Sequence, residues 1–159
     1  MAKVSIIVPT FNSGATIQRC LQSIAAQGFT DYEVIVQDGS PDDNTAREVE
    51  RFKEKYVRIA VRHFRERDLG PYDAMNKAMA KACGEWLYFL GGDDELIDDR
   101  VLGTILTGEC TSGCDVIYGS VQSVGDSVWG KSGTKYDGGY TRLVDDVDTT
   151  LMPASRSRR

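Results

Sequence analysis

The chain has 159 residues, four cysteines and a formal net charge of −5. That length sets one domain with room for a sizeable core, and the acidic balance excludes non-specific binding to nucleic acid. No apolar run approaches bilayer-spanning length and no charged segment precedes an apolar signal core, so a cytoplasmic protein is expected, with membrane association only of a peripheral kind.

Cys20, Cys83, Cys110 and Cys114 form no CxxC pair and have no histidine at metal spacing. They read as reduced, mostly buried thiols. Residues 4–8 (Val-Ser-Ile-Ile-Val) are an apolar run closed by Pro9. Apolar on both faces, the run is expected as the central strand of a parallel sheet. Residues 9–14 form a loop in which Asn12 or Ser13 can cap the following helix. Ile17, Cys20, Leu21, Ile24 and Ala25 recur as one helical stripe, and Gly28 is a natural C′ residue. Residues 32–36 are a second strand ending in Gln37-Asp38-Gly39-Ser40. A helix from Asp43 or Asn44 to about Lys53 follows, then a short strand over residues 57–61. This β-α-β-α-β order predicts a parallel sheet with right-handed crossovers. The first loop is not GxGxxG, which argues against a dinucleotide site.

Pro71 suits the first position of a helix, with Gly70 before it. Ala74, Met75, Ala78, Met79 and Ala82 form its stripe, and Gly84 ends it. Asp73, Asn76 and Lys77 share a face. They make a surface ion pair, or, with Asp68, they flank a ligand. Residues 86–90 (Trp-Leu-Tyr-Phe-Leu) are apolar and aromatic and read as a buried strand. The run stops at Gly91 and Gly92, then at adjacent carboxylates, Asp93 and Asp94. Two readings of the acid pair stand level. It holds a hard divalent cation, Mg²⁺ above all, beside substrate phosphates; or it is a solvated turn at a helix start, where acids are favoured. A helix over residues 96–106, a strand over 115–118 and a hairpin or meander over 119–135 follow. Residues 136–159 read as a loosely ordered tail.

Other residues carry competing readings. His63 lacks metal partners and reads as structural. Arg62, Arg65 and Arg67 either neutralise a diphosphate or form a solvated basic loop. Trp86, Tyr88 and Phe89 belong to the core strand, and Tyr72 sits at a helix start beside the acids.

Four stretches together resemble the family 2 glycosyltransferases of GT-A fold, over roughly residues 3–120. They are Val4-Ser-Ile-Ile-Val-Pro-Thr-Phe-Asn12, Val34-Ile-Val-Gln-Asp-Gly-Ser-Pro-Asp-Asp-Asn-Thr45, Asp68-Leu-Gly-Pro-Tyr-Asp-Ala-Met-Asn-Lys77 and Gly84-Glu-Trp-Leu-Tyr-Phe-Leu-Gly-Gly-Asp-Asp94. The resemblance implies an α/β domain, a mostly parallel Rossmann-like sheet with helices on both faces. Residues 1–135 would be the nucleotide-sugar-binding domain and 136–159 the tail, the chain ending before the acceptor side.

The resemblance further implies a nucleotide-sugar donor, commonly a UDP-sugar, and a divalent metal, Mn²⁺ or Mg²⁺. It implies inverting transfer to a saccharide or lipid-linked acceptor, in cell-surface polysaccharide or glycolipid synthesis. Carried over by position, Pro9, Thr10 and Asn12 would line the nucleotide, and Asp38 would accept from the uracil ring. Asp93 would contact ribose or metal, Asp94 would hold the metal against the diphosphate, and Asp68 and Asp73 would border the donor sugar.

The family's general base is a downstream aspartate. Asp145, Asp146 and Asp148, clustered late in the chain, read as a solvated loop, so the base has no candidate. Gly91 and Gly92 stand where family members often carry a polar or acidic residue. A non-catalytic donor-binding fragment or subunit is the alternative. A sugar nucleotidyltransferase ranks lower, because the first loop lacks a glycine- and basic-rich phosphate loop. A homo-oligomer stays open.

Overall fold

The computed structural model describes residues 2–107, 116–124, 132–136 and 150–153. Its elements are β1 (Val4–Thr10), α1 (Ile17–Ala25), β2 (Tyr32–Asp38), α2 (Asn44–Lys55), β3 (Val61–Arg65), α3 (Pro71–Met79), β4 (Trp86–Phe89), α4 (Val101–Thr107), β5 (Ile117–Tyr118), β6 (Val121–Gln122), β7 (Lys135–Tyr136) and β8 (Thr150–Pro153). The main sheet runs β3-β2-β1-β4-β8-β5. Its first four strands are parallel, and β8 pairs antiparallel with both β4 and β5. β1 is central, as its two apolar faces require.

Alternation along the strands divides the core in two. Val4, Ile6 and Val8, with Val34, Val36, Trp86 and Tyr88, face α1, α2 and α4; Ile7, Ile35, Leu87 and Phe89 face α3. The expected α1 stripe is buried at Ile17, Cys20, Leu21 and Ile24. Helices therefore cover both faces of the sheet, and β1, β2 and β4 are buried on both sides.

Several boundaries differ from the sequence expectation. β1 continues through Pro9 to Thr10. Pro9 faces the β4 side, where its carbonyl accepts from Gly92 N–H, and β4 has already ended there. The missing proline N–H breaks no ladder bond at such a position. Neither Asn12 nor Ser13 is the α1 cap; Thr16 takes that position. Gly28 instead donates to the Asp99 carbonyl.

β3 lies at residues 61–65 rather than 57–61, and Val57 is exposed. This edge strand is set by β2, with Val34 opposite Val61 and Arg62 paired to Glu33 at 3.2 Å. The charged residues it carries hide its period. α4 begins at Val101, not at residue 96, because side chains of α1 and of the turn after it hold the intervening segment in an irregular path. Ser23 Oγ accepts from Leu96 N–H, and the buried Gln27 bonds both the Asp98 carbonyl and Leu102 N–H.

The stretch expected as a loose tail includes β8. Thr150–Pro153 is a strand because it covers the otherwise open edge of β4, a pairing that no local pattern announces. Apart from Tyr136, which ends β7, the rest of that stretch lies outside the described residues. The expected hairpin is present as β6 paired with β7. Of the described cysteines, Cys20 is buried and Cys83 exposed, so the expected burial holds for one; Cys110 and Cys114 lie outside the described residues. Burial pushes the Cys20 thiol up, and the charges of Asp94 and Asp93 add to that. Among the described residues no helix is long and apolar enough to cross a membrane.

Gly84 does not end α3, whose last residue is Met79. It allows close backbone contact instead: a Cβ there would stand 2.5 Å from Ser5 N and 2.7 Å from the Val4 carbonyl carbon. Beside it, Ser5 and the Cys83 N–H both donate to Glu33. Burial alone would raise the Glu33 carboxyl, but these bonds and Arg62 outweigh it and hold the group below its usual range. Gly84→Ala is expected to lower stability by about 1–3 kcal/mol, because neighbouring backbone has to shift. Gly103→Ala, inside α4 with open space around it, is expected to raise stability by up to about 1 kcal/mol through helix propensity. Urea unfolding of the two variants against the parent checks both signs.

Candidate active site

The pairing registers open a gap at the carboxyl end of the sheet. β1 pairs with β2 as far as Thr10 opposite Asp38, but with β4 only as far as Ile7 opposite Phe89. The chain winds outwards from β1 to β2 and β3, then returns to β4 on the other flank. A switch point of this kind is where open α/β sheets bind ligands. Here it forms a cavity of about 760 Å³, a size suited to small molecules and cofactors. Pro9, Thr10, Phe11, Asn12, Ser13 and Thr16 line one wall. Phe89 and residues 91–94 line the second, and Asp68, Gly70, Pro71, Ala74 and Met75 close the third.

The acid pair sits in a turn closed by Asp94 N–H donating to the Gly91 carbonyl at 3.0 Å. Thr16 Oγ1 donates to the Gly92 carbonyl at 2.9 Å and fixes that turn to the start of α1. A Cβ on Gly91 would stand 2.7 Å from Asp94 Oδ2 and 3.0 Å from Asp93 Oδ1. One oxygen of each carboxylate therefore curls over the same bare glycine. Two like charges held so close favour a shared cation, and hard oxygens suit Mg²⁺ or Mn²⁺. No group of three or more His, Cys, Asp or Glu side chains converges among the described residues. Substrate and water oxygens would complete such a shell, as is usual for Mg²⁺.

Asp38 is placed differently. Its side chain is fully buried and does not line the cavity. Oδ1 accepts from Thr10 Oγ1 at 3.2 Å, from Ser40 N–H at 3.0 Å and from the Ser40 hydroxyl. Oδ2 faces His63 Nε2 at 3.6 Å and Arg65 Nε at 4.0 Å, and makes no closer bond. Burial would raise this carboxyl, but His63, Ser40 and Thr10 outweigh it and hold Asp38 below the usual aspartate range. Asp38 thus stands behind Thr10, which does line the cavity.

Asp68 reaches the cavity because Gly39 lacks a side chain: a Cβ there would stand 2.0 Å from Asp68 Oδ2. Asp68 Oδ1 accepts from Gly70 N–H at 3.0 Å. Asp73 is not among the lining residues. It pairs with Lys77 at 2.9 Å and accepts from Leu69 N–H at 3.0 Å. Asn12 lies on the lip with φ of +54°, a left-handed conformation that asparagine tolerates better than most residues.

Arg62 and Arg65 are bound elsewhere, Arg62 to Glu33 and Arg65 to Asp43 at 2.7 Å. His63 is structural as expected, packed between Asp38 and Glu50. Phe89 belongs to the core yet also borders the cavity, and Tyr72 points outward, exposed. Ser13, Thr16 and Met75 were not foreseen as lining residues. The hydroxyl residues just past β1 were the available signal for the first two. Asp145, Asp146 and Asp148 lie outside the described residues.

The profile of the glycosyl transferase family 2 matches residues 5–153. A PGL/p-HBAD biosynthesis glycosyltransferase of Mycobacterium bovis is 39% identical over 119 residues, covering 74% of this chain and 46% of the relative. The chain thus spans less than half the length of that relative. Among solved structures, Staphylococcus aureus TarS in complex with UDP-GlcNAc superposes with a TM-score of 0.66 at 30% identity, covering 79% of this chain and 36% of that one. A mannosyltransferase from Pyrobaculum calidifontis in complex with GDP-Man and Mn²⁺ superposes with a TM-score of 0.70 at 25% identity, covering 76% of this chain and 36% of that one.

Asp38 makes stability depend on pH. Its folded-state pKa is depressed, so its contribution is complete above the unfolded aspartate value of about 3.9 and is lost as pH falls below it. Asp38→Asn is expected to cost about 1.5–3 kcal/mol at pH 7, the worth of hydrogen bonds to a charged group. It is also expected to shallow the acid limb below about pH 4. Urea midpoints across pH check both effects.

Proposed function

The chain belongs to the glycosyl transferase family 2, and from that premise we propose that it binds a nucleoside-diphosphate sugar and passes the sugar to an acceptor hydroxyl. We take a UDP-sugar as the donor, aided by Mn²⁺ or Mg²⁺. The observation that carries this reading is the convergence of Asp93 and Asp94 over Gly91, in a wall of the switch-point cavity. The UDP-GlcNAc and GDP-Man bound to structural relatives support the donor class, and the Mn²⁺ of the second supports the metal.

Asp93 and Asp94 would hold the metal, which when bound neutralises charge on the departing diphosphate. Pro9, Thr10 and Asn12 would line the nucleotide, with Asp38 fixing Thr10 from behind. Asp68 would border the sugar, held by Gly70 N–H. Asp73, tied to Lys77, would act on that wall through the Leu69 backbone rather than by direct contact.

In the transfer, the acceptor oxygen forms a bond to the anomeric carbon as the carbon–oxygen bond to the diphosphate breaks. The bonding pair leaves with the diphosphate. One direct displacement inverts the anomeric centre, and the acceptor proton goes to a general base. No described residue is assigned that base. The acceptor class we propose is a saccharide or lipid-linked saccharide of surface polysaccharide or glycolipid assembly.

Thermal unfolding with UDP, with and without Mn²⁺, tests the donor reading. A ligand at a hundred times its Kd adds about 2.7 kcal/mol to the folded state. The expected result is a rise in Tm that needs Mn²⁺ in the parent and disappears in Asp94→Ala. Gly91→Ala is expected to weaken the same response, because its methyl displaces both carboxylates. A UDP shift equal with and without Mn²⁺ in the parent would overturn the metal assignment.

A further inference from the structure

We infer that Ser40 and Thr45 are positioning residues for the loop that forms one wall of the cavity, although neither lines the cavity itself. Thr45, the second residue of α2, is completely buried, and Ser40 nearly so. Ser13 N–H donates to Thr45 Oγ1 at 3.0 Å, and Asn12 N–H donates to Ser40 Oγ at 2.8 Å. Two consecutive backbone amides of the lining loop are thus held by two buried hydroxyls.

The direction of the protons follows from donor counting. A carboxylate only accepts, and a serine hydroxyl has a single proton. Asp38 Oδ1 takes that proton from Ser40. Ser40 Oγ, 3.3 Å from Thr45 Oγ1, therefore accepts from the Thr45 hydroxyl. The Thr45 oxygen is left to accept from Ser13. The chain of bonds runs from the loop amides through Thr45 and Ser40 to one buried charge.

The loop has two further marks of being held in place. Asn12 is the only non-glycine residue with positive φ among the described residues, at +54°. Gly14 seats the loop on the start of α2, where an added Cβ would stand 2.9 Å from Asn44 Cβ. Asparagine tolerates this left-handed conformation at small cost, and the two hydroxyls help to hold it. Asn12 and Ser13 then present their side chains to the cavity in one geometry.

The inference rests on the donor reading, and its test separates the two. Thr45→Val keeps shape and removes the hydroxyl, leaving the Ser13 amide unpaired; Thr45→Ser restores it. Calorimetric titration with UDP and Mn²⁺ is expected to give a Kd about tenfold weaker for Thr45→Val, the fold-change of one unmade buried bond, and a Kd near the parent's for Thr45→Ser. Hydrogen exchange at the Ser13 amide is expected to quicken in Thr45→Val and not in Thr45→Ser. Ser40→Ala serves where Thr45→Val does not fold, with exchange read at the Asn12 amide. Parental UDP affinity in the valine variant overturns the inference, whatever happens to Tm. Equal weakening in the valine and serine variants also overturns it, since packing alone would explain that. If the parent binds no UDP, the donor reading fails, and unchanged Ser13 exchange in Thr45→Val is then the result that overturns the role of the hydroxyls.

Discussion

β1 has a parallel partner on one side for longer than on the other. Its ladder to β2 runs to Thr10, while its ladder to β4 stops at Ile7. Everything that makes the cavity follows from that difference in register. β1 keeps a fully extended backbone past the end of β4, carrying Pro9 and Thr10 to the cavity wall. The chain leaving β4 turns at Gly91, with Gly92 N–H held by the Pro9 carbonyl of β1. The reversal of winding direction between β1 and β4 keeps helices from filling the space above.

The acids at this end of the sheet do two different kinds of work. Asp38 is buried and enclosed by donors, so its charge is an internal anchor whose stabilisation comes from hydrogen bonds outweighing desolvation. Asp93 and Asp94 face the cavity and crowd over a glycine, an arrangement that suits the cation proposed for this site. Asp68 sits between these cases, at the cavity but braced by the Gly70 amide and seated on Gly39. Asp73 is spent on Lys77 and the Leu69 amide. Residue type alone does not separate these roles; burial and donor count do.

Order across the site is transmitted by α1 as much as by the sheet. Thr16 grips the Gly92 carbonyl, Ser23 takes Leu96 N–H and Gln27 bonds Asp98 and Leu102. These side chains hold the segment that follows the acid turn in an irregular path for about two turns' worth of helix. The helix expected from residue 96 does not form there, because a backbone already bonded to neighbouring side chains gains nothing by coiling. β3 is likewise placed by its partners: Arg62, His63 and Arg65 meet Glu33, Asp38 and Asp43 in the observed register.

The sequence by itself determined the sheet type, the central place of β1, the helices packed on it and the four motifs that gather at one end. Those features depend on the period of apolar residues and on turn chemistry, which are local. The convergence of Asp93 and Asp94 was half legible, since adjacent acids after a buried strand and two glycines announce a site without showing which way the carboxylates turn. Only the tertiary structure decided the rest. It withdrew Asp38 from the cavity, recruited Ser40 and Thr45 behind the loop, and turned residues 150–153 into β8 against the edge of β4. Each of these depends on a hydrogen-bond partner many residues away, and a pattern within one segment carries no record of a partner supplied by another.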